Sequence, residues 1–340
     1  MANTQSISAL QAKLWYNELF ADVPTILFMS KFMSDSPNSP IQVCKDLTTK
    51  PGNNVEFGLS TKLAGDGVEG DGELEGNEEA IQTYNDNLIV DQLRHAVRLK
   101  GRMDEKKVAY KMRSDAKEKL KIWWAERIDQ EVLDKLCGKL TSTFANTPTA
   151  PTTNRAIWAG GVSADNSLTA TMIFDTKVID AAKEKAILSS PKVRPIRLED
   201  KQHTGESVYV LIVHPYQATA LRQDPVWNQA QRDANNRGSD NPILSGALGI
   251  YNGVVVYQHE GIYTFNNSGS VACARAVLLG QQAAIFGEGA PERWVEKEFD
   301  YGNKWGISAG RIFGVIKPVF NSEDYGVITI ATAASAASTA

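Results

Sequence analysis

Three observations predict an α+β fold. Val208–Val213 (VYVLIV) is a continuous apolar run with the character of a strand covered on both faces. Asp104–Cys137 carries an apolar residue every three or four positions, the mark of a long amphipathic helix. The remaining strand and helix signals alternate too irregularly for a doubly wound sheet. With 340 residues, 42% of them hydrophobic, the chain can bury a substantial core, and such a length normally makes two or three domains.

The elements follow in order. Residues 1–50 read as an N-terminal arm: Ser8–Leu19 has a short helical pattern (Leu10, Leu14, Leu19, with Trp15 beside them), and Pro24, Pro37 and Pro40 punctuate an extended run. Asn54–Leu59 (NVEFGL) is a strand, and Tyr84–Leu99 supplies its partner, giving a long two-stranded ribbon ended by Gly101. Asp104 is placed to cap the long helix and Gly138 to end it. Its row runs through Val108, Met112, Ala116, Leu120, Trp123/Trp124, Ile128, Val132 and Leu136, with Arg113–Ser114 as a place for a break. Unbroken, it would span about 50 Å.

Thr141–Thr169, rich in Thr, Ser, Pro and Asn, reads as a surface loop. Asp175 caps a second helix with Val178, Ile179, Ala182, Ala186 and Ile187 on one side, and Pro215 starts a short helix at its favoured first position. Gly253–Gln258 and Ala274–Gly280 are strands, and Arg293–Phe320 supplies the last long ones. The Ala/Ser/Thr tail from Ala331 reads as disordered.

Charge is distributed unevenly. The net value is only -4, so no excess of positive charge points to nucleic-acid binding. Between Ala64 and Ala80, however, seven carboxylates (Asp66, Glu69, Asp71, Glu73, Glu75, Glu78, Glu79) alternate with glycines, and no Lys or Arg is present. So little apolar surface cannot offset an ordering cost of roughly 1–2 kcal/mol per residue, so this tip cannot fold on itself. Isolated two-stranded ribbons are marginal in water, so the arm makes sense only if another subunit holds it. The following segment, Arg94–Arg127, holds twelve Lys/Arg against five acids, a local charge of +7. An acidic tip followed by a basic segment suits contact between copies of one chain. The candidate assembly residues are therefore the seven tip carboxylates with Arg94, Arg98, Lys106, Lys107, Lys111, Arg113, Lys117 and Lys121.

Catalytic and cofactor chemistry finds no footing. Gly65–Gly70 formally matches GxGxxG, but carboxylates within and after it would repel a pyrophosphate, and no helix follows. Read as a calcium loop from Glu69, the segment puts Leu74 where the sharp turn requires glycine. His95, His203, His214 and His259 lack metal-ligand spacing, and Ser207, Ser245 and Ser308 lack a nucleophile elbow. His95 reads as a structural or interface residue, and Trp123–Trp124 as core. Cys44, Cys137 and Cys273 fit neither a disulfide framework nor a zinc site. The sequence thus implies no catalytic residue, metal or cofactor. No basic-then-apolar leader and no run of about 18 apolar residues is present, so the expectation is a reducing cytoplasm and no membrane.

The arm, ribbon, long helix and later α+β module together resemble the tailed-phage coat fold named after phage Hong Kong 97. More closely, LSTKLAGDGVEGDGELEGNEEAIQTYNDNLIVDQLRHAVRLKG (Leu59–Gly101) and IWWAERID (Ile122–Asp129) resemble the major capsid proteins of phages similar to coliphage N-four. The acidic loop and DQLRHAVR (Asp91–Arg98) are the most specific portion. VYVLIVHPYQATALRQD and GALGIYNGVVVYQHEGI are similar in pattern to the axial domain of these coats.

The resemblance implies a structural protein whose copies form hexamers and pentamers of an icosahedral shell around double-stranded DNA, assembled in the host bacterial cytoplasm into the virion capsid. Its parts would be an N-terminal arm (1–50), an extended loop (51–101), a peripheral domain with the spine helix (102–200), an axial domain (201–290), and return strands of the peripheral domain with a C-terminal tail (291–340). A portal, a decoration protein and weak, non-specific contact with the packaged DNA belong to the same picture. Cross-linking in the best-known member uses a lysine of the extended loop. Gly65–Ala80 has none and Lys62 is the nearest, so self-cross-linking is not expected. No long helical segment precedes the arm, which suggests a separate scaffolding protein. Two rivals remain: an encapsulin-like compartment on the same fold, and a glycosidase using two loop carboxylates, which a glycine-rich arm cannot hold at fixed separation.

Overall fold

The computed structural model describes residues 27–49, 52–63, 65–107, 112–197, 207–235 and 247–335. Its longer strands are β1 (Ile41–Cys44), β2 (Asn54–Ser60), β3 (Thr83–Ile89), β4 (Asp91–Arg98), β5 (Ala156–Trp158), β6 (Ser207–Val213), β7 (Gly249–Tyr251), β8 (Val254–Gln258), β9 (Thr264–Asn266), β10 (Ala272–Leu279), β11 (Ala284–Phe299), β12 (Lys304–Ile316) and β13 (Val327–Ala333). The helices are α1 (Arg102–Lys107), α2 (Met112–Cys137), α3 (Thr176–Leu188), α4 (Pro215–Gln223) and α5 (Pro225–Asn235). Two compact units share the chain. The larger takes Phe28–Gln92, Arg127–Pro291 and the residues from Ile312 onward; the smaller takes Leu93–Glu126 and Glu292–Arg311.

The larger unit is built on an eight-stranded sheet ordered β5-β13-β10-β6-β8-β7, with β9 pairing β10 and Ile196–Arg197 pairing β6. Six consecutive apolar residues in β6 have no polar face to offer water, and all of Val208–Val213 is buried. Alternation divides the sheet's side chains between two faces. Tyr209, Leu211, Val213, Val254, Val256, Ala276, Leu278, Ile328 and Ile330 share one core with Val178, Ile179, Ala182 and Ala186 of α3 and with Ala218, Leu221 and Trp227 of α4 and α5. The register aligns them: Leu278 stands opposite Leu211 on one side and Ile328 on the other. Burying each large side chain contributes about 1.5–3 kcal/mol.

Helix ends are fixed by local chemistry. Asp175 accepts Val178 N–H (3.0 Å) at the start of α3. His214 caps α4 by accepting Tyr216 N–H at Nδ1 (3.2 Å), while Gln217 Oε1 accepts His214 N–H (3.0 Å). Gly138 stops α2 at φ +68°, where Lys139 N–H returns to Asp134 O (2.9 Å) and Gly138 N–H to Lys135 O (3.2 Å). Arg275 Nη1 donates to Cys137 O (3.0 Å), satisfying a terminal carbonyl and complementing the helix dipole. At the other end of the described chain, Asp129 accepts Phe28 and Met29 N–H (2.7 and 2.9 Å). Burial raises its carboxyl's pKa against the opposing pull of those two bonds.

A five-stranded sheet runs Met33–Ser34, β1, β11, β12, β4. In the smaller unit His95 stacks on Trp123 (centroids 4.2 Å apart), and Trp123 meets Trp124 edge-on at 5.3 Å. The Arg113 guanidinium lies 3.8 Å from the Trp305 ring centre, and that of Arg98 lies 4.5 Å from Phe299.

Several expectations need correcting. Tyr84–Leu99 is not one strand: β3 pairs with β2, whereas β4 beyond Val90 joins β12 in the five-stranded sheet. Asp104 does not cap the helix; it lies inside the first turn of α1, which starts at Arg102. Val108 and Lys111 lie outside the described residues. Thr141–Thr169 is more than a surface loop, because it contains β5 and buries Asn146, Arg155, Ala156, Ala159 and Leu168. The tail from Ala331 begins inside β13, where Ala331, Thr332 and Ala333 are buried between strands, and only residues 336–340 fall outside the description. The proposed Ser8–Leu19 helix also lies outside it.

Candidate assembly interface

The ribbon pairs seven residues on each side, from Asn54 opposite Ile89 to Ser60 opposite Thr83, and Thr61 N–H to Gln82 O (3.0 Å) extends it. Alternation places Val55, Phe57 and Leu59 on one face with Tyr84 and Leu88, while Asn54, Glu56, Gly58 and Ser60 face water. That apolar face is seated on the hairpin of Val319–Phe320 with Glu323–Asp324. Phe57 meets Phe320 edge-on at 5.9 Å, and Asp86 accepts Val319 N–H (2.9 Å). A buried ion pair, Lys317 Nζ to Asp324 Oδ1 (2.8 Å), holds the hairpin, and Asp324 also accepts Thr152 N–H (3.2 Å). Burial lowers the Lys317 pKa, with Asp324 opposing.

Beyond the ribbon, every described residue from Lys62 to Thr83 is exposed, all seven tip carboxylates included. The tip does form local structure, contrary to the sequence expectation. Gly72 N–H bonds Glu69 O (3.3 Å) and Asn77 N–H bonds Leu74 O (3.0 Å), closing two turns. Glu79 accepts Gly65 N–H (2.7 Å) and Glu78 accepts Gly76 N–H (2.8 Å). Two of the seven carboxylates thus shape the loop, and Asp66, Glu69, Asp71, Glu73 and Glu75 face water beside them.

Apolar side chains share this exposure. Leu63, Leu74 and Ile81 are 56%, 61% and 65% exposed. Leu74, flanked by Glu73 and Glu75, is the signal of this in the sequence. Exposed apolar residues on a projecting loop mark an interaction surface.

The structure divides the basic candidates. Lys106, Lys107, Lys121, Arg94 and Arg98 are exposed. Lys107 pairs with Asp104 (3.9 Å), Arg113 with Glu105 (3.5 Å) and Lys117 with Glu296. Asp104 and Glu105 are already counted in the +7, so of these pairs only Lys117–Glu296 lowers that sum, by one charge within the smaller unit. That acid, Glu296, comes from β11, distant in sequence, and local charge counting could not find it.

No other centre emerges from the geometry. Among the described residues, no group of three or more His, Cys, Asp or Glu is placed to hold a metal ion, and no helix is long and apolar enough to cross a membrane. His214 caps a helix, and His259 Nδ1 accepts Gly261 N–H (3.0 Å), with burial lowering the pKa of both rings. His203 and Ser245 lie outside the description. The three cysteines are free thiols. Burial pushes the Cys137 pKa up to about 11.

The sequence pattern of a family described as phage capsid protein matches residues 3–336. The chain belongs to that family. The major capsid protein of Pseudomonas phage KPP25 is 30% identical to it over 366 residues, covering 95% of each chain. The capsid of Ralstonia phage GP4 superposes with a TM-score of 0.84 at 28% identity, covering 99% of this chain and 100% of that one. The capsid of Cyanophage Pam1 gives 0.83 at 20% identity over the same shares. The protein is therefore a phage major capsid protein with the Hong Kong 97-type fold, a structural component of the virion that assembles with its own copies. A cargo compartment on the same fold gains no support.

Proposed function

We propose that this coat protein builds the head of a tailed phage around double-stranded DNA, from hexamers and pentamers in which each extended loop lies across a neighbouring subunit. The observation that carries the reading is an exposed acidic and apolar tip on a ribbon whose base is seated in its own subunit. Such a tip has surface to bury, and among the described residues none covers it. Residues 51–101 serve as this loop, 102–200 as the peripheral domain with the spine helix, and 201–290 as the axial domain at capsomer centres, with 1–50 as the arm and 291–340 as return strands and tail.

The protein performs no chemical turnover, and its activity is self-association. Several modest contacts per subunit multiply into a stable shell. A separate scaffolding protein and a portal direct assembly in the host cytoplasm, and a decoration protein has the shell's outer face to bind. With a net charge of -4, contact with packaged DNA is weak and independent of sequence. Electron microscopy of the purified chain with its scaffold, beside a variant lacking residues 63–80, tests this. Closed shells are expected from the full chain and none from the variant; shells of normal size from the shortened chain would refute the role of the loop.

A further inference from the structure

Between β3 and β4 the chain leaves the ribbon and enters the five-stranded sheet, so the backbone at Ile89 fixes the direction in which the extended loop departs. One side chain holds that backbone. Asn146, buried in the segment after α2, accepts Ile89 N–H at Oδ1 (3.0 Å) and donates from Nδ2 to Ile89 O (2.8 Å) and to Val315 O (3.2 Å). The first two bonds reproduce, from a side chain, the exchange a neighbouring strand would make. The third ties the same amide to β12.

The surroundings are shaped for this seat. Lys135 Nζ of α2 donates to Asn146 O and to Phe144 O (3.0 Å) and pairs with Glu131 (3.0 Å), which accepts Ser142 Oγ–H (3.1 Å). Ala145, immediately before Asn146, takes φ +56°, a sparsely populated backbone for a residue with a Cβ. Gly314 lets the crossing chain press close, since a Cβ there would stand 2.1 Å from Ile89 O, and one at Gly287 would stand 2.3 Å from Leu88 Cδ2. Polar network, backbone strain and two glycines converge on the three residues Leu88–Val90.

We propose that Asn146 is the positioning residue that sets the take-off direction of the extended loop, acting through Ile89 and Val315. The inference rests on the reading that the loop docks on a neighbouring subunit. Contact between copies then depends on an amide distant from the contact itself, because a small rotation at the base is magnified along the length of the arm.

Hydrogen exchange on the monomeric subunit and electron microscopy of assembly reactions test it together. In Asn146→Ala, exchange at the Ile89 amide should speed up roughly tenfold, while β6 and β10 keep their protection and the tip is chemically unaltered. Shell yield should fall at least tenfold, or shells should take aberrant diameters. Asn146→Asp keeps an acceptor for Ile89 N–H but turns a carboxylate oxygen toward Ile89 O and Val315 O, so it should assemble no better than Asn146→Ala, and normal shells from it would also overturn the proposal. Gly314→Ala leaves the amide in place but pushes Ile89 away, and should reproduce the assembly defect. Normal shells from Asn146→Ala would overturn the proposal, as would a loss of protection spread evenly over β6, β10 and the ribbon. The variant lacking residues 63–80 separates the two readings. If it assembles normally the docking loop itself is refuted; if it fails while Asn146→Ala succeeds, only the positioning role is.

Discussion

Lys135→Met should destabilise the subunit far more than an ordinary surface change, and the structure sets the size. Lys135 and Glu131 are 1% and 0% exposed, with Nζ 3.0 Å from Oε1. Removing one partner of a buried pair leaves an uncompensated charge and costs about 3–5 kcal/mol. Here Arg127 Nη2, on a side chain about a third exposed, remains 3.1 Å from Glu131 Oε2, an ion-pair contact without hydrogen-bond alignment. Ser142 Oγ also remains on Oε1. These offset part of the loss, which places the expected cost near the lower end, about 3 kcal/mol. At about 2–4 °C per kcal/mol for chains of this order, Tm should fall by about 6–12 °C. Glu131→Leu with Lys135→Met removes both charges and should recover part of the single variant's loss, but not all of it, because Phe144 O, Asn146 O and the Ser142 hydroxyl lose their partners. Urea and thermal unfolding of monomeric subunits, arranged as a double-mutant cycle, reads both values. A single variant within 1 kcal/mol of the parent, or a double variant worse than the single, would refute the reasoning.

Three further outcomes are expected. Since burial pushes the Cys137 thiol up to about 11, it should stay protonated and unreactive toward a thiol reagent at pH 8–9 while Cys44 is modified; the folded pKa is raised, so stability should be full below the unfolded value and decline as pH climbs toward 11, which alkaline unfolding would detect. Gly138→Ala forces a Cβ to φ +68° and to 2.6 Å from Thr149 O, and should cost at least about 1 kcal/mol in urea unfolding. Replacing Glu69, Asp71, Glu73 and Glu75 by lysine should block assembly at low salt and relent at high salt, where the Debye length falls to about 3 Å at 1 M; normal shells at low salt, scored by sedimentation, would assign docking to Leu63, Leu74, Ile81 and the ribbon instead.

Much of the fold was legible because its signals are local. An uninterrupted apolar hexapeptide required two covered faces and became β6; Asp175, Pro215 and Gly138 marked helix ends where their backbone chemistry belongs. The acidic tip was legible as an exposed element for the same reason. What escaped the sequence depends on distant partners. Nothing near Tyr84–Leu99 announces that the chain changes sheets at Val90, because the glycines that receive it, Gly287 and Gly314, lie some two hundred residues away. Asn146 was hidden in a polar stretch that composition assigns to a loop, and its role appears only when Ile89 and Val315 are brought to it. The partner of Lys117 was equally hidden, since Glu296 meets it from a strand distant in sequence.

A density map of shells assembled from this chain, at a resolution that traces side chains, tests the central claim most directly. The account predicts closed icosahedral shells in which residues 63–80 of each subunit lie against a neighbouring copy, with Leu74 and Ile81 buried there and Asn146 still bonded to Ile89 at the loop's base. Shells in which that loop folds back on its own subunit, or stands free in solvent while the particle remains closed, would contradict it.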